Sequence, residues 1–450
     1  VSTAPGDGLR RAVSPIEEGL LFHDFYCDDG VYVDHMVCDI VGQLDRARFE
    51  ETLRQLVRMH EILHTFYVRD NWRLAAEIRP SCVPALPFHD LSDRREPRET
   101  ARRKIAADAH APLDPSQHVS RCALYRLAPQ DHVFSWTYHH ALADSWTLHL
   151  LQQHFCAIYR AIQEGRAIAQ PATPYSDYVR FISAQDATAV NRFWSGYLAS
   201  APRAKARTVP GLDARGGRTS IRIALSAQAR AHLDQVRREQ RVTLNIAVLA
   251  MWGLFALARQ GTGACLLGCA VFGRSLPLKG IHTVAGVCSN TVPVVISETT
   301  PLAALLPQLQ KHVLEASSRS FLSVGDMLAS AGLSHHDMHS VVNFSIDKSE
   351  VATPHSAALP FAITNIDYAQ AASFDTYLDV EIGEAVIALT VHFDQDGRTF
   401  SQEDDRRTCE TIAGLMAGHG ASTVGEIVDT VRMAHWARDA AFDFSAEHMP

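Results

Sequence analysis

Three residues in this 450-residue chain could do acid–base chemistry together: His139, His140 and, further on, Asp144. An imidazole with an ordinary pKa of about 6.5 can accept a proton near neutral pH, and a carboxylate can hold it or stabilise its surroundings. The flanking residues say what positions them. His132 to Tyr138, HVFSWTY, alternates Val133, Ser135 and Thr137 against Phe134, Trp136 and Tyr138, the period of a half-buried strand. From Trp146 the period becomes helical: Leu150, Leu151, Phe155, Ile158 and Tyr159 recur on one face, with Asp144 or Ser145 as the N-cap. Neighbouring side chains on an extended backbone point to opposite faces. One histidine of the pair is therefore held inside while the other faces a cavity, which suits a single working imidazole with structural support.

Plainer readings compete. A lone histidine is more often packing or surface than chemistry. Metal binding is a third reading, because His140, Asp144 and His149 could supply ligands. No other Cys or His pair in the chain has a recognised ligand spacing, so no metal is expected. His60 and His64 are four apart, but the helix ends between them, and both are read as structural.

With its flanks, HHALADS (139–145) resembles the HHxxxDG signature of condensation domains of nonribosomal peptide synthetases, relatives of chloramphenicol acetyltransferase. The likeness runs along nearly the whole chain. SPIEEGLLFH (14–23) is similar to the family's SPxQxGxLFH opening, with Glu17 for Gln; MHEILHTFY (59–67) is similar to its RHExLRTxF box; YSDY (175–178) matches YxDY. Phe272-Gly273-Arg274 and Gly286 to Pro293 match its GR and GxxxNTxP elements. Two departures stand out. Ser145 replaces the motif glycine, and Met59 and His64 replace both arginines of the RHExLRTxF box. Serine tolerates φ > 0 poorly, so a corner that needs that conformation must differ here.

The resemblance implies an α/β fold of two chloramphenicol-acetyltransferase-like lobes, a V-shaped pseudo-dimer of mixed sheets covered by helices, with the active site at the junction. It implies an acyltransferase that joins an acyl thioester donor on a carrier protein to an amine or hydroxyl acceptor, forming an amide or ester in secondary-metabolite biosynthesis. No cofactor is bound directly; the phosphopantetheine arms belong to the partner peptidyl or acyl carrier proteins. By the same likeness His140 is the working residue, as general base or as an acceptor orienting the nucleophile, His139 is structural, and Asp144 makes a structural ion pair. Arg274 is the candidate partner of Asp144. Asn290 and Thr291 make main-chain-directed hydrogen bonds in the segment that closes the floor of a tunnel, and Ser145 supplies a backbone N–H at the motif's end. Cys288 is read as core.

The SPIEEGLLFH opening is also similar to the subgroup that follows epimerisation domains, a hint of a D-configured donor. Three rivals stay in view. One is an inactive condensation-like domain that recruits a carrier or enzyme. The others are epimerisation, whose EGHGRE-type box is absent, and heterocyclisation, which needs DxxxxD.

Composition narrows the classes. Apolar residues at 47% and charged residues at 20% describe a packed globular protein rather than a disordered one. A net charge of −8 argues against a nucleic-acid-binding surface as the main function. No apolar run reaches the roughly 18 residues that cross a bilayer, and Ile246 to Leu257 reads as a buried helix. Nine cysteines without a CxxC pair read as reduced thiols, and the expectation is a cytoplasmic, monomeric protein.

Residues 1–12 read as a flexible tail, 13–180 as an N-terminal lobe carrying HHxxxD, and 181–450 as a C-terminal lobe with a floor or latch segment near 273–293. Asp45 caps a helix with Phe49, Leu53, Leu56 and Val57 on its apolar face, and Thr243 opens another that Gly261 stops. The RRxxRxxxRRK run between Arg94 and Lys104 is a solvated helix face, and Ala199 to Gly217 is a loop.

Overall fold

A computed structural model describes residues 9–26, 32–71, 73–168, 173–203, 219–345, 359–369, 374, 376–384, 386–393, 400–418, 420 and 422–434. Most of the loop expected from Ala199 to Gly217, and residues 1–8 of the expected tail, lie outside the described residues. In chain order the first part runs β1 (Leu9–Ala12), α1 (Pro15–Tyr26), β2 (Val33–Gly42), α2 (Arg46–Met59), β3 (Thr65–Asp70), β4 (Arg73–Ile78) and β5 (Phe88–Asp90). It continues with α3 (Pro97–Ala109), β6 (Ser120–Ala128), β7 (Asp131–His139), α4 (Ser145–Gln163) and α5 (Tyr175–Ser183). Then come α6 (Ala187–Tyr197), β8 (Thr219–Ala224), α7 (Ala227–Gln240), α8 (Leu244–Gln260), β9 (Ala264–Val271), β10 (Asn290–Ser297) and α9 (Leu302–Ser317). After these come α10 (Val324–Ala329), β11 (Val341–Ser345), β12 (Phe361–Ala369), β13 (Thr376–Ile382), β14 (Ile387–Phe393), a helix at Gln402–Ala417 and a further helix at 424–434.

These elements form two compact units that interleave along the chain. The first is Val1–Asp186 with Phe272–Ser289 and Lys348–Ser373; the second is Ala187–Val271, Asn290–Asp347 and Phe374–Pro450. This differs from the single cut expected at residue 180. The segment 272–289 packs with the first unit because Arg274 and the backbone of 286–289 bond to Asp144 and Thr147. Strand β12 joins it because it pairs with β2. Residues 9–12, expected as tail, are strand β1, antiparallel to β4. Arg11 fastens that strand: its guanidinium reaches the buried carboxylate of Glu17 at 2.7 Å.

The first unit is built on a five-stranded sheet of order β12-β2-β7-β6-β5, antiparallel except for the β5–β6 pair. Alternation sorts its two faces. Leu127, Val133 and Tyr125 pack with Ala101 and Ile105 of α3 on one side. The exposed arginines of α3 lie on its other side, as a solvated face requires. Met36, Cys38, Phe134 and Trp136 face the opposite way, toward α2 and α4, and line an apolar cavity of about 440 Å³. Asp45 caps α2 through the Arg48 N–H. A three-stranded sheet, β1-β4-β3, completes the unit.

The second unit carries a six-stranded mixed sheet, β10-β9-β11-β13-β14-β8, in which β11 runs parallel to both its neighbours. Helix α8 is buried at every position from Ile246 to Leu257, capped by Thr243 and ended by Gly261 at φ 66°. A helix apolar all round must sit in a core or a membrane, and here it packs against β9, β10, α7 and α9. Among the described residues no single helix is long and apolar enough to cross a membrane. The fold is mixed α/β, with sheets covered by helices.

Candidate active site

The β2–β7 ladder sets the site. Asp34 stands opposite Tyr138 and Val33 opposite His139, so Asp34, Tyr138 and the next even position, His140, share one face. His139 takes the other face and is fully buried, its Nδ1 accepting the Ala141 N–H at 3.1 Å. The chain then leaves the strand through a short 3-10 turn, His140–Leu142. There the His140 backbone N–H donates to the Tyr32 carbonyl at 2.8 Å, which holds the turn against the start of β2.

His140 keeps 24% of its side chain exposed, whereas Asp34 beside it has none. Nδ1 of His140 lies 2.6 Å from Oδ2 of Asp34, and the ring stacks near Tyr32 at 6.5 Å and 16°. Burial alone would lower the imidazole pKa. The Asp34 charge and hydrogen bond, with a smaller contribution from Asp144, outweigh it and hold His140 above its ordinary value. An imidazole whose Nδ1–H donates a hydrogen bond to a carboxylate leaves Nε2 as the nitrogen able to accept a proton.

Asp144 does not reach into the site. Its carboxylate caps α4 through the Thr147 N–H and hydroxyl at 2.8 and 2.7 Å. It also accepts the Cys288 and Ser289 N–H groups at 3.0 Å each, and both its oxygens meet Arg274, at 2.6 and 3.1 Å. Both partners are buried. Burial pushes the Asp144 carboxyl up, but the Arg274 charge and hydrogen bonds, with the Thr147 hydroxyl and N–H, hold it below the ordinary range. Arg274 also donates to the Phe272 and Gly286 carbonyls at 3.1 and 3.0 Å. The turn before it needs Gly273: φ is 64°, and a Cβ there would sit 1.6 Å from the Cys288 carbonyl oxygen.

Ser145 occupies the first position of α4 and is absent from the residues with positive φ, so serine fits this corner without strain. Asn290 and Thr291 open β10 in the second unit. The Asn290 amide donates to the Ser320 and Leu322 carbonyls, and its oxygen accepts the Thr291 N–H. The structure therefore gathers His139, His140, Asp144, Ser145 and Arg274 in the first unit and assigns Asn290 and Thr291 to the second. Cys288 is fully buried, and burial raises its thiol pKa well above the usual range, which fits packing rather than nucleophilic chemistry.

His149 does not join His140 and Asp144; its Nε2 lies 2.6 Å from the Gln153 amide. Among the described residues no group of three or more His, Cys, Asp or Glu is placed to hold a metal ion. His64 bonds the Val57 carbonyl, and His60 meets His154 at 2.9 Å. Glu61 of the same box accepts the Ser176 N–H and hydroxyl and lies 3.8 Å from Arg11. Motif spacing alone misses Asp34. Its signal is a carboxylate in register with Met36, Cys38 and Ile40, the inward side of a strand.

The Condensation domain family model matches residues 10–425. The chain is 23% identical over 431 residues to bacitracin synthase 3 of Bacillus licheniformis, covering 92% of this chain and 7% of that protein. It is 23% identical over 429 residues to tyrocidine synthase 2 of Brevibacillus parabrevis, covering 91% and 11%. The chain spans less than a third of the length of the curated relatives it matches. Among solved structures it is similar in fold to VibH, a condensation enzyme of nonribosomal peptide synthesis, with a TM-score of 0.71 at 16% identity. That alignment covers 90% of this chain and 94% of VibH.

Proposed function

The chain belongs to the condensation-domain family, and from that premise we propose that it transfers an acyl group from a carrier-bound thioester to an amine or hydroxyl acceptor. The observation that carries this reading is the partly exposed His140 just past the end of β7, its Nδ1 engaged by buried Asp34 and its backbone pinned to Tyr32. In the proposed reaction the acceptor nitrogen or oxygen attacks the thioester carbonyl, and His140 Nε2 takes its proton. The C–S bond then breaks, an amide or ester forms, and the thiolate of the phosphopantetheine arm receives a proton.

The demand on the protein is modest because the thioester is already activated. Holding two reactants in line can contribute about 7–11 kcal/mol in favourable cases, and a positioned base a further factor of roughly 10²–10⁴. The donor and acceptor arrive on phosphopantetheine arms of separate carrier proteins, which are substrates here. Asp144, Arg274 and His139 hold the corner and touch no reacting atom.

Intact-mass analysis of donor-loaded and acceptor-loaded carriers after incubation with the protein tests the proposal. The expected result is loss of the acyl mass from one carrier and its gain on the other. Retention of both masses, with the protein binding either carrier, would favour a domain that recruits without catalysing.

A further inference from the structure

We infer that Asp34 is the positioning residue of the site: it locks His140 with its proton on Nδ1 and Nε2 bare, making His140 a general base rather than only an orienting acceptor. This rests on the proposed acyl transfer for its chemistry, though not for its geometry. Asp34 lies on an inward-facing strand position, opposite Tyr138 and in line with Met36, Cys38 and Ile40, where an apolar residue would be the ordinary choice. A carboxylate there is costly unless it is paired and hydrogen-bonded. Its contact with Nδ1 of His140, at 2.6 Å, is short enough for a charge-assisted bond. Asp34 has no exposed side-chain surface, so its end of that bond is shielded from water.

The residue is clamped from two further directions. The His140 backbone N–H is tied to the Tyr32 carbonyl, and the Tyr32 ring lies nearly parallel to the imidazole. The charged groups acting on His140 are Asp34 from β2 and Asp144 beyond the turn. Arg274 neutralises Asp144, so Asp34 is the carboxylate that governs the imidazole. Burial first, then Asp34, Tyr368 of β12 and Asp144, hold Tyr138 far above its usual pKa. It therefore stays neutral through the working range. The raised His140 pKa has a definite consequence: the rate should climb with pH through a limb set by His140, above the ordinary imidazole value.

Asp34→Asn keeps the shape and removes the charge. Its amide can donate to Nδ1, which would put the ring proton on Nε2 and block the base. The expected result is a fall in kcat of about 100-fold or more with KM within about threefold. The pH–rate limb of the residual activity should move to lower pH, and Asp34→Glu should restore part of both. In parallel, ¹⁵N-histidine NMR of the full chain, with His140 assigned by its loss in His140→Ala, reads tautomer and titration without any substrate. The wild-type ring is expected as the Nδ1–H tautomer titrating above about 6.5, and in Asp34→Asn it should titrate lower. An Nε2–H tautomer in the wild type, or titration at or below that value, overturns the inference even if Asp34→Asn fails to fold. So does an unchanged pH–rate profile in a folded Asp34→Asn. A wild type that shows the dyad by NMR but makes no product would refute the proposed transfer and leave the dyad standing.

Discussion

The guanidinium of Arg274 holds both carboxylate oxygens of Asp144 across 130 residues of sequence, with both side chains buried. Because that carboxylate also accepts two N–H groups from Cys288 and Ser289, the pair fastens segment 272–289 to the start of α4. Asp144→Ala leaves a buried guanidinium and three orphaned N–H donors, those of Thr147, Cys288 and Ser289, an expected loss of about 3–5 kcal/mol. Urea unfolding of Asp144→Ala, Arg274→Met and the double variant checks it. The double variant should recover part of the loss, and strict additivity would mean the two residues do not act as a pair.

His140→Ala is expected to lower turnover by roughly 10²–10⁴ while the fold persists at reduced stability, since the imidazole is partly exposed but its loss leaves buried Asp34 without that partner. Carrier-based mass analysis under saturating acceptor, alongside a thermal melt, separates the two effects. Near-normal turnover would take His140 out of the reaction altogether. A change confined to KM would leave it a binding role only.

Much of the corner is legible in the sequence because local patterns carry it. Period-2 alternation up to Tyr138, a helical period from Trp146 and an N-cap at Asp144 or Ser145, of which the structure uses Asp144, describe β7 and α4 almost to the residue. Thr243 and Gly261 likewise bracket α8, whose burial follows from its being apolar on every side. What is not legible depends on partners far along the chain. Leu9–Ala12 is polar and short, and only its pairing with β4 and the Arg11–Glu17 contact make it a strand. Strand β12 meets β2 from the far end of the chain, and no local pattern reports that pairing. Asp34 carries a local signal, a charge at an inward-facing position of its strand, but its meaning needs the β2–β7 register.

The Arg11–Glu17 pair should behave as a buried ion pair rather than as a surface one. Glu17 also accepts the Tyr67 hydroxyl at 2.7 Å and the Ser14 N–H at 2.7 Å, so its charge is held on several sides. Arg11→Ala strands that carboxylate, and the expected cost is about 3–5 kcal/mol. Tyr67→Phe removes one donor to a charged acceptor and should cost about 1.5–3 kcal/mol. Chemical denaturation measures both. An Arg11→Ala protein as stable as wild type would show that residues 9–12 do not hold to this unit in solution.

The paired rings of His60 and His154 make the fold sensitive to acid. Their nitrogens meet at 2.9 Å and the rings lie 5.0 Å apart, so one donates and the other accepts while both are neutral. Burial first, then the neighbouring imidazoles, push His60 down to about 3, and burial lowers His154 as well. The unfolded chain takes up these protons near the ordinary value of about 6.5, whereas the folded chain refuses them. The stabilisation is thus full above that pH and drains away as pH falls toward the folded value. Between pH 7 and 5 the His60 share of that loss is on the order of 2 kcal/mol. His60→Gln with His154→Gln removes both titrating groups and keeps a polar pair. Urea unfolding at the two pH values should show a drop smaller by at least about that amount than in the wild type, since the lowered His154 contributes in the same direction. An equal drop in both proteins would mean that these rings are charged, or solvated, in the fold.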